Sequence, residues 1–206
     1  MRDLAIGEFL DALADRVPAP GGGASAALHA AQAGALLAMV ARYSDGPKYA
    51  EDAETIQRIL SAAEELRVKA LRLAEDDATA FGAVAEAYKL PKKSDEEKQA
   101  RSAAIAAALA RAAEPPAEII AVAEQIVTLA EQLLPVGNRN VVTDIAAATE
   151  AARAAATTAR INVEINLGGI KVEQTRKTLT ERANATDEVA RRAELVTARV
   201  REEIAK

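Results

Sequence analysis

PAPGGGASAALHAAQAGALLAMVARYS, Pro18 to Ser44, places three consecutive glycines at the head of a run, Gly21 to Ala41, that carries no charge. About 20 apolar residues can cross a bilayer. Here the apolarity is mostly alanine, with Ser25, His29 and Gln32 interspersed, whereas convincing spans are rich in Leu, Ile, Phe and Val. A helix that is small and apolar all round reads instead as the buried centre of a helical protein, with its neighbours approaching closely.

Helical signals continue on both sides of this stretch. About a quarter of the 206 residues are alanine, aromatics make up 2%, and no window sustains the period-2 alternation of a strand. Ile6, Phe9, Leu10 and Leu13 mark a short first helix ending before Pro18, and the glycine-headed helix runs to about Tyr43. After the SDGPK loop, a long third helix is expected from about Tyr49 to Lys89, stopped by Pro91. Its inner stripe reads Ile56, Leu60, Ala63, Ala70, Leu73, Asp77, Phe81, Val84 and Tyr88. Ser94 with Glu97 forms a capping box for a fourth helix. Glu114-Pro115-Pro116 either kinks that helix or begins a fifth, which runs to Pro135. The VGNRN loop then leads into a helix from about Asn140 to Leu167, and after Gly168-Gly169 a charged helix covers about Thr175 to Ile204. Short connections favour antiparallel neighbours. The expected fold is all-α, an up-and-down antiparallel helical bundle with long helices forming one domain over residues 1–206.

The net charge of −5 at pH 7 argues against nucleic acid as a partner. With no cysteine, disulfides, thiolate metal sites and cysteine nucleophiles are excluded. The single histidine, His29, rules out the paired Glu-x-x-His motifs of di-iron bundles, and no metal or cofactor is expected. The N-terminal residues carry acids within their apolar pattern, so they do not read as a signal peptide; a cytoplasmic protein with no membrane partner is expected.

Several residues stand out as candidates for a site. Gly21, Gly22 and Gly23 expose backbone N–H groups at the positive end of a helix dipole, which suits an anion as well as it suits a plain tight turn. Asp77 lies on the apolar stripe of the third helix, and a carboxylate buried there needs a partner, a ligand or a proton. Asp144 lies one turn into the helix after GNRN, where an acid also simply compensates the dipole. Asn162 and Asn166 are four apart on one helix face, either gripping a polar ligand or stitching helices together. Lys48, Lys89, Lys92 and Arg139 read as exposed cations.

PGGGASAAL, GPKY, DDATAFGAVAEAYKLPKKSDEEKQAR, VGNRNVVTDIAAA and INVEINL occur in this order. In that combination the chain resembles the formiminotransferase-cyclodeaminase family, specifically its cyclodeaminase domain and the stand-alone methenyltetrahydrofolate cyclohydrolases of the same fold. The resemblance covers essentially the whole chain, with Ala24 standing where relatives often have serine. It implies a helical subunit that forms a homodimer and binds a tetrahydrofolate derivative. The first reaction it implies is closure of 5-formiminotetrahydrofolate to 5,10-methenyltetrahydrofolate with release of ammonia. The alternatives are hydrolysis of the methenyl bridge, or folate binding without catalysis. Both reactions are acid-base chemistry with no call for a metal or redox group. Under the resemblance, Asp77 is expected to shuttle the proton. Asp144 is expected to hold the pterin, with Asn162 and Asn166 orienting it; the two carboxylates are interchangeable at this level. The glycines, Lys48 and Arg139, with Asn138 beside it, are expected to take the glutamate tail.

Overall fold

The computed structural model describes residue 1 and residues 3–206. Seven α-helices account for most of the chain: α1 (Ile6–Ala14), α2 (Gly22–Arg42), α3 (Ala53–Lys89), α4 (Asp95–Ala112), α5 (Glu114–Leu133), α6 (Val142–Leu167) and α7 (Glu173–Ile204). Short 3-10 segments, Pro47–Asp52 and Arg139–Val141, precede α3 and α6, so those two helices start a few residues later than their periodicity suggests. The capping box at Ser94 forms as expected, the hydroxyl accepting from the Glu97 N–H while the Glu97 carboxylate accepts from the Ser94 N–H. The two prolines occupy the first turn of α5, where missing N–H groups cost nothing, so a new helix begins there.

Helix α2, uncharged as far as Ala41, is the hub of the bundle. Ala24, Ala26, Ala27, Ala30, Ala33, Leu37, Ala38 and Val40 are fully buried, and α3, α5 and α6 pack around them. It is long and apolar enough to cross a membrane, but 61% of its most apolar window is buried inside the bundle. Gly34 shows how closely neighbours come: a Cβ there would lie 3.0 Å from the Ala63 carbonyl oxygen and 3.2 Å from the Arg67 nitrogen. Together with Gly23 lying against Asp77, that contact makes α2 and α3 antiparallel.

Cross-helix bonds fix the remaining directions. Lys69 pairs with Glu118 at 2.7 Å and Arg58 donates to Gln132 at 2.8 Å, so α5 runs antiparallel to the first half of α3. Arg101 bonds the Tyr88 carbonyl, which sets α4 against the second half of α3. Thus α4 and α5 together flank α3 as one long helix broken at the two prolines. Helix α7 closes the bundle with Leu179, Ala183, Thr186, Val189, Ala193, Val196 and Val200, three or four apart and all buried. Its Arg182 and Arg192 pair with Glu118 and Glu131 of α5.

One expectation needs correction. The stripe of α3 does not stay in the core: beyond Ala74 only Ala87 is buried, Asp77 and Val84 are half-buried, and Phe81 and Tyr88 are 50% and 53% exposed. The reason is where α2 starts. Its first residue, Gly22, lies near the level of Asp77, so α2 does not cover the α3 stripe further on.

Candidate active site

That uncovered stripe forms one wall of a cleft of about 490 Å³. The chain before α2, Pro18 and Ala19, forms a lip, Gly21–Gly23 the floor, and Asp77, Phe81, Val84 and Tyr88 the α3 wall. Leu109 and Ala112 come from α4, and Asn162, Ile165 and Asn166 from α6. All three elements traverse the cleft in step. Gly22 and Gly23 sit beside Asn162 and Asp77, Leu109 abuts Gly169, and Tyr88 meets Arg101 at the far end.

At the floor, Asp77 faces the start of α2. A Cβ on Gly23 would lie 2.1 Å from Asp77 Oδ1 and 2.3 Å from its Cγ, so only glycine leaves room for this carboxylate. Helix α2 has no side-chain cap of its own. Asp77 supplies one from the neighbouring helix, accepting from the Ala24 N–H, one of the first-turn donors that lack partners within the helix. Burial pushes the Asp77 carboxyl above its ordinary value of 3.8, and the Ala24 N–H, which favours the ionised form, offsets this only in part. The result is a half-buried carboxyl whose ionised form is disfavoured by burial.

Ala24 contributes through its backbone. Ala24 itself is fully buried and borders a small apolar hollow with Phe9 and Leu28 rather than the cleft. Asn162 Nδ2 donates to the Thr158 carbonyl at 2.9 Å and Asn166 Nδ2 to the Asn162 carbonyl at 2.7 Å. These bonds to carbonyls fix which end of each amide is nitrogen, and each Oδ1 remains an acceptor for a ligand N–H.

The structure therefore brings together Gly21, Gly22, Gly23, Asp77, Asn162 and Asn166. Asp144, Lys48, Asn138 and Arg139 lie away from this cleft within the single chain. Asp144 is eighteen residues before Asn162 on one helix, about 27 Å away at 1.5 Å per residue. Asn138 stitches two loops: its Nδ2 donates to the Tyr43 carbonyl at 2.7 Å, its backbone N–H to Ser44 Oγ at 2.8 Å, and its Oδ1 accepts from the Asn140 N–H. Arg139 pairs with Glu203 near the end of α7. Lys48 lies 5.4 Å over the Tyr49 ring, beside a separate hollow of about 440 Å³ lined by Arg42, Ser44 and Gly46 among others.

The aromatic wall is not evident from periodicity alone. Helical spacing puts Phe81 and Tyr88 on the core stripe, although they are two of only five aromatic residues and follow Asp77 on the same face. A scarce ring on the same face as a carboxylate was the available signal.

The formiminotransferase-cyclodeaminase family profile matches residues 5–185. The chain is 40% identical over 166 residues to the methenyltetrahydrofolate cyclohydrolase of Methylorubrum extorquens, covering 80% of each chain. It is 31% identical to the formimidoyltransferase-cyclodeaminase of Mus musculus, over 80% of this chain but only 31% of that longer protein. Among solved structures, the formiminotetrahydrofolate cyclodeaminase of Thermotoga maritima superposes with a TM-score of 0.87 at 32% identity, covering 100% of this chain and 99% of that one. The chain belongs to the formiminotransferase-cyclodeaminase family.

Proposed function

We propose that this protein is a folate one-carbon enzyme that hydrolyses the 5,10-methenyl bridge of tetrahydrofolate, with Asp77 as its general acid-base group. The observation that carries the proposal is the half-buried Asp77 carboxyl on the floor of the cleft, above its ordinary pKa and against a glycine that leaves it space. A water beside it adds its oxygen to the cationic bridge carbon while Asp77 takes the proton. The bond from that carbon to N5 then breaks, N5 receives a proton, and 10-formyltetrahydrofolate leaves with net release of one proton. The Oδ1 atoms of Asn162 and Asn166 accept from pterin N–H groups in this reading.

Ring closure of 5-formiminotetrahydrofolate, the reaction put first by the sequence motifs, is the second reading. The full-length superposition on the Thermotoga cyclodeaminase favours it, whereas the higher identity to the Methylorubrum enzyme, over most of both chains, favours hydrolysis. In closure, N10 attacks the formimino carbon, its proton passes to Asp77, and the same carboxyl returns a proton to the departing ammonia.

A second copy of the chain is the proposed partner. Midway along α2 the residues that reach solvent are Gln32, Ala35, Leu36 and Met39, none of them charged, and α6 beside it presents Ala147, Ala154, Ile161 and Ile165 among its exposed and half-buried positions. An uncharged surface of that kind suits a homodimer interface.

The near-ultraviolet absorbance of the methenyl group separates the two reactions. Hydrolysis predicts faster loss of absorbance from 5,10-methenyltetrahydrofolate than in buffer, and closure predicts its appearance from 5-formiminotetrahydrofolate. No acceleration with either substrate would overturn both.

A further inference from the structure

The two ends of the cleft differ in charge. The floor holds the Asp77 carboxyl and the amide oxygens of Asn162 and Asn166. The open end holds cations. Arg101 of α4 donates from Nε and Nη2 to the Tyr88 carbonyl at 3.3 and 3.0 Å, and its Cζ lies 5.5 Å from the Tyr88 ring centroid. The next residue, Ser102, accepts from Lys171 Nζ at 2.7 Å, which ties a second cation to the same turn of α4.

Neither cation has a carboxylate partner among the described residues, and the acids nearby in sequence are engaged elsewhere. Glu86 pairs with Lys89 at 2.6 Å, Asp95 pairs with Lys98 at 2.8 Å, and Glu97 accepts from the backbone of Lys93 and Ser94. The Arg101 guanidinium carries five donors, and bonding to one carbonyl leaves part of its fork open. A planar fork presented beside an aromatic ring suits a carboxylate.

Between floor and rim, Phe81 and Tyr88 lie two turns apart, about 10 Å along α3, a spacing suited to a flat ring followed by an amide. Opposite them stand Leu109 and the 78% exposed Ile165.

We propose that Arg101, assisted by Lys171, is the docking site for the glutamyl carboxylates of the folate ligand. The ligand then lies along α3 with its fused ring on the glycine floor, its benzoyl ring against Phe81, and its anionic end at the Tyr88 rim. This assignment rests on the folate reading above and moves the tail from Lys48 and Arg139, which lie outside this cleft. It also orients the ligand: a carboxylate tail placed at the floor would meet Asp77, while at the rim it meets two unneutralised cations.

The test is equilibrium binding of tetrahydrofolate and of tetrahydropteroate, the same molecule without its glutamate, to the wild type and to Arg101→Met, Arg101→Lys and Lys171→Met. The wild type is expected to prefer tetrahydrofolate. Arg101→Met should weaken tetrahydrofolate about tenfold, the scale of one hydrogen bond to a charged group, and leave tetrahydropteroate unchanged. Arg101→Lys should recover part of the loss, and Lys171→Met should produce a smaller one. Equal weakening of both ligands in Arg101→Met would show that Arg101 acts only by holding Tyr88, and no weakening of either would show no role; each result overturns the assignment. A wild type that binds both ligands equally overturns it while leaving the folate reading intact. Binding of neither overturns both.

Discussion

Gly23 and Asp77 depend on one another. Adding a methyl at position 23 forces the carboxylate off its place against α2, since the new carbon would lie within 2.4 Å of three Asp77 atoms. Gly23→Ala is expected to lower kcat/KM on the order of a hundredfold, the scale of an ångström-sized displacement of a reacting group. Gly7→Ala on α1, away from the cleft lining and with nothing within 4 Å of its new Cβ, is the control and should stay within about twofold; steady-state kinetics of both variants checks the pair. Asp77 should also cost stability. Because its folded pKa is raised, the unfolded chain gives up the proton first as pH rises from 3.8 towards the folded value. Stability is therefore lost across that window and stays lost above it. Asp77→Asn keeps an acceptor for the Ala24 N–H and removes the charge, so its melting temperature should exceed that of the wild type at neutral pH. The gap should narrow towards about pH 4, as thermal melts across pH would show. A residue that destabilises its fold yet remains in place is common at functional sites.

At the scale of elements, the close approach of α2 and α3 sets the depth of the cleft. Gly34→Ala gains helix propensity of up to about 1 kcal/mol, but the methyl meets backbone atoms of α3 at 3.0 to 3.2 Å, which cannot rotate aside. Overpacking of this kind costs about 1–3 kcal/mol. The variant should melt roughly 2–6 °C lower for a chain of this size, and an unchanged melting point would mean that the helices can separate without penalty. Much at this scale was legible from sequence. The alanine-rich α2, the Ser94 capping box and the Pro115-Pro116 helix start all act locally, so local patterns reported them. What periodicity could not report is the height at which α2 begins relative to α3. That single relation turns Asp77, Phe81, Val84 and Tyr88 from a core stripe into a cleft wall. The same limit applies to Asp144: its position in the first turn of α6 was readable, but not that α6 sets it about 27 Å from Asn162.

For the whole molecule, the uncharged outer face of α2 and α6 and the charge gradient along the cleft carry the larger consequences. A homodimer of the 21.6 kDa chain should sediment at about 43 kDa, twice that mass. Ile161→Glu alters a side chain that is 65% exposed in the single chain, so it should leave folding intact and split the dimer, with a monomeric wild type contradicting the proposal. The proton-transfer role of Asp77 is tested by turnover of the methenyl substrate in Asp77→Asn, with tetrahydrofolate binding measured on the same sample. With that role, binding persists while turnover falls by about 10²–10⁴-fold, the usual contribution of a general acid-base group. Turnover close to that of the wild type would contradict it.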